Sequence, residues 1–581
     1  MGAVIDRTGY RRLPIGSENF EAVVSQRVYV DKTALIRELI DAAYDVTLFC
    51  RPRRFGKSLA MRMLQCYFEA PVEDGPRSIP SRAALFEGLE ISHAGEHYLR
   101  EMGAHPVVFL NLGAVGGGTW GDTRAQLAQV VATEYLRHAY LRSSGVMTAE
   151  DKAYFARVAS GSPDDAELRS SLSWLSERLC RHHGAGTVIL IDEYDHPVTV
   201  GHLRGYRDEA VSFMRGWLTG ALKATTSLRL ACLTGVQRVS RESIFSGLNN
   251  IVVNTPMDGR FGEGFGFTAS EAEELASRCG LPPRRLPQMR DWYDGYCFGG
   301  ADVYNPWSVL NYLDQGGVAQ PYWGNTSDNA IVHQLFARAS GREADELRAL
   351  AAGEGVTEAL DLSTTFSAID DGHALADSSA LWGQLYLAGY VTTDDVAVPN
   401  DAMRERRLRV PNREVAYLFR GEFVERSVRE HGRDRLRRFR EALLGLDADG
   451  LSRALDAVLD ESPNYLDLTS ENSYHMLLLG LLYDVPGYRF PRSDRERGDG
   501  RPDVTLEPET ENQDRLPAVV IEVKSEGDVP IDEQVQHALA QIERRRYGVG
   551  LSGRGLVVWG IAFRGKRALC ACRAHEVGLD S

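Results

Sequence analysis

The sequence predicts an α/β protein built of more than one domain, and three stretches carry that expectation. "VTLFCRPRRFGKSLAMRML" (residues 46–64) is an apolar run, a basic turn and a helical apolar pattern in succession. "TVILIDEYDHPV" (187–198) is a continuous apolar run that ends on two acids. "AVVIEVK" (518–524) is a third apolar run, broken near its end by a Glu and a Lys two residues apart. Short continuous apolar runs suit strands buried on both faces of a sheet, and the helical patterns between them supply the covering layers. At 581 residues the chain is too long for one hydrophobic core, so three or four domains are expected.

Composition narrows the class. Hydrophobic residues make up 43% and charged residues 25%, the proportions of an ordinary globular chain. No apolar run approaches the roughly 18 residues that a membrane helix needs, and no basic-then-apolar leader opens the chain. Six of the eight cysteines are scattered singly, and Cys570 and Cys572 have no second pair beside them. That is neither a disulfide framework nor a zinc site, and it suits a reducing cytoplasm. A formal net charge of −15 is not that of a nonspecific nucleic-acid binder, although local patches decide phosphate contact. The basic runs "RERRLRV" (404–410) and "RDRLRRFR" (433–440) read first as solvated helix faces.

The stretch at 46–64 has the strand–loop–helix order of a phosphate-binding loop. Lys57 is placed to reach β- and γ-phosphates, Ser58 to ligate Mg²⁺, and Gly56 to let the backbone approach phosphate. The helix that follows would point its first amides and its positive dipole end at the same anion. The standard loop begins with glycine, and here Arg51 stands in that place. In "TVILIDEYDHPV", Asp192 and Glu193 end a buried strand, where open α/β sheets place ligands. Asp192 would hold Mg²⁺, largely through water, and Glu193 would polarise the attacking water. Asp195 reads as a neighbour that shapes the site. "LRLACLTGV" (228–236) is a further strand ending near Thr234, a candidate γ-phosphate sensor. Arg238 and Arg241 are candidate charge stabilisers, in cis or in trans. "VVFLNLG" (107–113) reads as a fourth strand.

With these motifs in order, the chain resembles the AAA-ATPase-like bacterial proteins that carry a C-terminal PD-(D/E)XK nuclease-type domain. The resemblance rests on "YVDKTALIREL", "RPRRFGKSL", "LIDEYDHPV", "LTGVQRVSRESIFSGLNN", "FGFT", "WYDGYCFGG" and "YNPWSVLNYL", which span residues 29–313. It implies an AAA-like P-loop NTPase domain over residues 1–285. It also implies a loop that exchanges one backbone turn for added positive charge at Arg51, Arg53 and Arg54. Nucleotide contacts are then expected from Arg51, Arg53, Arg54, Phe55, Gly56, Lys57, Ser58, Leu59, Asp192, Thr234 and Arg238. Asp31 and Lys32 stand upstream of the loop, where this family contacts nucleotide. "WYDGYCFGG" and "YNPWS" read as a packed, turn-rich junction.

Residues 286–450 read as mostly helical, with a winged element. "SALWGQLYLAGYVTTDD" looks like a helix and strand, and "RRLRVPN" like the strand's partner. In the last segment, 451–581, alternation puts Glu522 and Lys524 on one strand face and Val523 on the other. "PDVTLEP" is a neighbouring strand carrying Asp503. Two carboxylates on adjacent strands can hold a divalent cation through oxygen, with Lys524 orienting water or balancing charge. A charged pair inside an apolar strand is costly unless partnered, which favours a site. The order helix, strands, helix, strand matches a restriction-endonuclease-like PD-(D/E)XK core. Glu471, at the start of the upstream helix, is a third acidic candidate. Gln534 and Gln541 lie on the downstream helix, with Gln534 the stronger. "ERRRYG" (543–548) would meet a phosphate backbone or simply end a helix.

The expected protein therefore binds and hydrolyses ATP with Mg²⁺ and couples this to a Mg²⁺- or Mn²⁺-dependent nuclease-type domain. Nucleic acid is the expected partner, DNA before RNA, in a cytoplasmic protein without a membrane segment that could form a homo-oligomer. Defence or mobile-element biology would use such a protein. The alternative is an ATP-dependent switch whose C-terminal fold binds nucleic acid or protein without cutting.

Overall fold

The computed structural model describes residues 4–9, 12–72, 78–223, 226–237, 244–245, 247–324, 335, 339, 341–351, 353–362, 378–395, 404–419, 432–461, 474, 477–478, 481–482, 485–489, 491, 502–525 and 529–576. The chain divides into two compact units, residues 1–332 with 355–415 and residues 333–354 with 416–581. The segment expected as a middle region is thus shared between the two.

A parallel sheet organises the first unit. Its strands are β1 (Val46–Cys50), β2 (Val107–Asn111), β3 (Thr187–Asp192), β4 (Leu228–Gly235) and β5 (Ile251–Asn254), and in space they run β2-β3-β4-β1-β5. Strands β1 and β3 are buried along their whole length, as their continuous apolar runs require. Because β4 lies between β1 and β3, Thr234 pairs with Phe49 on one side while Leu233 pairs with Ile191 on the other. The phosphate loop, the acidic strand end and Thr234 therefore meet along one sheet edge.

Helices α1 (Lys57–Phe68), α2 (Trp120–Arg137), α3 (Asp165–His183), α4 (His196–Arg204) and α5 (Arg207–Leu222) connect and cover these strands. Helix α3 shows why its bounds are sharp. Asp164 and Glu167 form a reciprocal capping box, and Gly184 closes the other end in the left-handed conformation. Beyond the sheet, Phe267–Thr268, Tyr296–Phe298 and Ala301–Tyr304 form a small antiparallel sheet. The next helix, Pro306–Asp314, is capped by Asn305, whose side chain accepts from the amides of Trp307 and Ser308.

The winged expectation changes in one respect. The strand Glu405–Leu408 pairs antiparallel with Val356–Ala359; among the described residues the segment after helix Ser379–Ala388 meets the chain just past that strand, through the bridge Thr392 to Arg409 and the ion pair of Arg409 with Asp394. Alternation explains the choice: Arg406 and Leu408 are buried on one face of that strand while Glu405 and Arg407 are exposed.

In the second unit, α6 (Arg433–Leu444) and α7 (Ala448–Glu461) pack on a mixed sheet of β6 (Val504–Leu506), β7 (Ala518–Lys524), β8 (Gly555–Arg564) and β9 (Arg567–Glu576). Strands β7 and β8 are parallel, while β6 and β9 run antiparallel to their neighbours. Helix α8 (Ile531–Arg544) covers the other face through Leu539 and Ile542 against Val520 and Val558. The basic run at 433–440 lies on α6, with Leu436 and Phe439 buried in the core and Arg437 and Arg438 exposed. Among the described residues no helix is long and apolar enough to cross a membrane.

Candidate active sites

The phosphate loop joins the buried strand β1 to α1 and borders a cavity of about 570 Å³. Two residues of the loop take left-handed backbone, Arg54 (φ 70°) and Gly56 (φ 85°). Glycine carries that conformation without strain, and its missing side chain leaves open space above the loop. Lys57 is buried, and its Nζ donates to the carbonyls of Arg51 and Pro52, both at 3.1 Å. Arg53, Arg54, Phe55, Gly56, Lys57, Ser58 and Leu59 all line the cavity.

Arg51 does not line it, which corrects the expectation that its charge serves the phosphates. Its side chain turns back into the core and is fully buried. The guanidinium donates to the carbonyls of Cys50 (2.9 Å) and Asn254 (3.1 Å) and to Asn254 Oδ1 (2.6 Å). The faces of Phe265 and Phe298 flank it at 5.1 and 5.3 Å. Arg51 has no left-handed φ, so losing the first glycine strains nothing; the arginine instead ties the loop's start to edge strand β5. Phe55 likewise anchors the loop, its ring packed against Tyr296 (4.9 Å) and Phe298 (5.0 Å) and its carbonyl accepting from Gly266.

The acids at the end of β3 have divided duties. Asp192 is buried, accepts from Thr234 Oγ1 and from Asn111 Nδ2 (3.3 Å), and is also hydrogen-bonded by Ser58. Burial raises its pKa, and those hydrogen bonds oppose the rise. Thr234 is therefore a buried partner of Asp192, and neither of the two lines the cavity. Glu193 lines the cavity from a left-handed backbone position (φ 55°), a conformation that costs a non-glycine residue energy and that functional sites retain. Asp195 is buried and accepts from the amides of Val236 and Gln237, both at 2.9 Å, fixing the end of β4. Burial and the neighbouring Glu193 raise its pKa.

In the second unit the register Val504↔Ile521 sets Asp503 opposite Glu522. Asp503 Oδ2 accepts from the Val523 amide at 2.6 Å, which holds that carboxylate against β7. Glu522 is 2% exposed. Its Oε1 accepts from Lys524 Nζ (3.0 Å) and from Gln541 Nε2. Its Oε2 is buried and accepts no hydrogen bond within normal distance and angle from the described residues. Burial first, and then the Asp503 charge, push the Glu522 carboxyl up to about 7. Gly560, paired with Glu522 across β8, lets α8 pass close: a Cβ there would meet the Val535 carbonyl at 2.7 Å. That close approach brings Gln541 to Glu522.

The comparisons with known proteins agree with both halves. Residues 14–245 match the AAA-ATPase-like family, described as "Predicted AAA-ATPase", and residues 469–571 match the PD-(D/E)XK nuclease superfamily. The chain joins an AAA-ATPase-like domain to a PD-(D/E)XK domain. A curated relative, "Uncharacterized protein in vnfD 5'region" of Azotobacter chroococcum mcd 1, is 27% identical over 411 residues, which cover 70% of this chain and 68% of the relative.

Around the two sites stand residues that the sequence reading left out, ranked low or expected in another role. In the first unit Trp307, Pro306 and Leu310 of "YNPWSVLNYL" line the cavity, so that stretch is more than a junction. Lys32 lines it too, with Nζ bound to Glu271 (2.6 Å) and the Glu263 carbonyl (2.9 Å). Asp31 instead caps local turns, accepting from Thr33 and from the Glu90 amide. Glu18 is a lining carboxylate that no motif announced. In the PD-(D/E)XK domain Gln541, not Gln534, reaches Glu522; Gln534 Nε2 donates to the Val529 carbonyl at 3.1 Å. Glu471, Arg238 and Arg241 lie outside the described residues.

Proposed function

We propose that this protein hydrolyses ATP in its first unit and cleaves nucleic acid phosphodiesters, DNA in preference to RNA, in its second. The observation that carries the second half is Glu522 Oε2, a buried carboxylate oxygen without a partner among the described residues, beside a second carboxylate and a lysine. An orphaned buried oxygen costs stability unless a ligand completes it. Two oxygen donors of this kind fit a hard divalent cation that takes its remaining ligands from water and substrate phosphate. Among the described residues no group of three or more His, Cys, Asp or Glu side chains offers a fuller cage. Asp503 and Glu522 would hold Mg²⁺ or Mn²⁺, which when bound supplies charge stabilisation and a more acidic water. Lys524 holds one Glu522 oxygen and stays within reach of a water or a phosphate oxygen. Gln541 fixes the rotamer of Glu522.

In the first unit Lys57 exchanges the carbonyls of Arg51 and Pro52 for phosphate oxygens when nucleotide enters. Ser58 and Asp192 would hold Mg²⁺, and Glu193 takes the proton of the attacking water. The apolar lining from Val28, Val30, Phe267 and Leu310 suits a base and sugar.

The test incubates the purified full chain with labelled single- and double-stranded DNA and RNA, Mg²⁺ or Mn²⁺, with and without ATP. Glu522→Gln and Lys57→Ala run beside it. Cleavage of DNA that Glu522→Gln abolishes supports the reading, and its behaviour in Lys57→Ala reports whether nucleotide governs it. ATP hydrolysis without cleavage of any substrate would replace it with the switch.

A further inference from the structure

Glu414 is far from the phosphate loop in sequence, and its carboxylate is fully buried in the first unit. Both of its oxygens accept: Oε2 from Ser308 Oγ at 2.7 Å, and Oε1 from the Trp323 amide at 2.8 Å. Each donor leads to a wall of the nucleotide cavity. Ser308 follows Pro306 and Trp307, which line the cavity, on the helix Pro306–Asp314. Trp323 donates its indole N–H to the Arg53 carbonyl at 3.3 Å, and Arg53 lines the cavity from the phosphate loop. One carboxylate therefore ties the loop's basic turn to that helix. The neighbours of Glu414 are fixed as well. Asn412 Nδ2 donates to the Asp294 carbonyl at 2.8 Å, and Arg413 pairs with Asp291 at 3.1 Å. Burial pushes the Glu414 carboxyl up to about 7, and the hydrogen bonds from Ser308 and from the backbone at 322 and 323 oppose the rise. An apolar side chain of similar volume often serves stability as well as a buried charge, so stability alone does not explain a carboxylate here. Ser308, Trp323 and Glu414 all lie beyond the residues that match the AAA-ATPase-like family.

We propose that Glu414 is a positioning residue of the nucleotide site: it sets the spacing between the phosphate loop and the helix Pro306–Asp314, and so the fit of the cavity to bound nucleotide. The inference rests on the ATPase reading above. Both neighbours offer a hydrogen, so the group between them must accept twice. A carboxylate does this. An amide of the same shape cannot, because one of its two ends is itself a donor and would face another donor. The walls that Glu414 holds meet the nucleotide before and during the reaction alike. Loss of the tie should therefore weaken binding more than it slows the chemical step.

The experiment compares wild type, Glu414→Gln, Ser308→Ala, the double variant of these two and Arg51→Lys, all as full chains at pH 8. It measures ATP affinity, single-turnover hydrolysis at saturating ATP and melting temperature. Glu414→Gln is expected to weaken ATP affinity about tenfold or more while hydrolysis at saturation stays within about threefold. Ser308→Ala should weaken affinity by about fivefold. The double variant should be no weaker than Glu414→Gln alone, because its amide oxygen can accept from Trp323 while its N–H no longer meets a hydroxyl hydrogen. Arg51→Lys loses stability by another route and should keep affinity within about threefold, which controls for a general loosening. A Glu414→Gln protein that melts earlier but binds ATP like wild type would make Glu414 purely structural and overturn the proposal. So would additive losses in the double variant, or a rate at saturation that falls as far as affinity. If Glu414→Gln does not fold, Ser308→Ala decides, and its binding ATP like wild type would overturn the proposal. A wild type that binds no ATP would instead bring down the ATPase reading and this inference with it.

Discussion

The two candidate sites treat their carboxylates in opposite ways. In the AAA-ATPase-like domain Asp192 and Asp195 are buried with protein donors on them: Thr234 and Asn111 for one, the amides of Val236 and Gln237 for the other. Lys57 is similarly occupied by loop carbonyls. In the PD-(D/E)XK domain Glu522 keeps one buried oxygen without a partner among the described residues. The carboxylates of the first site are held by donors of their own chain. The second stores an unsatisfied group, which burial makes expensive and which ligand binding relieves. The contrast teaches that the carboxylates of the first site are placed by tertiary contacts, whereas the second site leaves a carboxylate oxygen to a ligand if the proposed function holds.

Substitutions should separate the two, and the largest effect belongs to the open site. Glu522→Gln should lower cleavage of labelled DNA by about 10³-fold or more, by removing the ligand charge. ATP hydrolysis by the same preparation should continue, and joint loss of both activities would erase the distinction. Next in size, Glu193→Gln should reduce single-turnover ATP hydrolysis by about 10²–10⁴-fold while nucleotide still binds. A fluorescent ATP analogue that no longer binds would show that Glu193 serves binding instead.

Gln541→Ala acts one step further out. It should cost about 10–100-fold in cleavage or in Mn²⁺ affinity, because Glu522 loses the group that orients it. Cleavage as fast as wild type would mean that Lys524 alone suffices.

The pH dependence follows from Glu522, whose carboxyl is raised to about 7. It must ionise to receive a cation, so metal affinity and cleavage should rise as pH increases from 6 to 8. Stability runs the other way. A carboxyl raised in the folded state contributes fully below the ordinary carboxylate range and loses that contribution as pH rises through 7. Without divalent cation the second unit should therefore melt at lower temperature at pH 8 than at pH 5.5, and Glu522→Gln should flatten the difference. A metal-free melting temperature that rises over this interval by the same amount in both proteins would count against it.

The smallest effect is expected at Arg51. Arg51→Lys cannot satisfy the carbonyls of Cys50 and Asn254 together, and should cost about 1–3 kcal/mol of stability in a melting experiment. ATP affinity measured well below the melting point should stay within about threefold. A large loss of affinity without loss of stability would return Arg51 to the phosphates.

Local chemistry made much of this visible in the sequence. A Gly-Lys-Ser between an apolar run and a helix, acids closing a buried strand, and Glu-x-Lys inside another strand each demand a particular backbone setting. That is why the α/β class could be named beforehand, and why Lys57, Asp192, Glu193, Asp503, Glu522 and Lys524 stood out as candidates. What could not be read were the directions of side chains that answer to distant partners. Arg51 turns inward because Asn254, two hundred residues on, lies on the adjacent edge strand. Thr234 faces Asp192 because β4 is inserted between β1 and β3. Gln541 outranks Gln534 because Gly560 lets α8 close on β8. Arg54 finds Trp307 only because a later helix returns to the loop. The sequence by itself determined which groups were available, since residue type and short-range spacing are local. Only the tertiary structure decided which of them face the cavity, which face the core and which buried oxygen is left for a ligand, because those outcomes depend on strand order and helix approach.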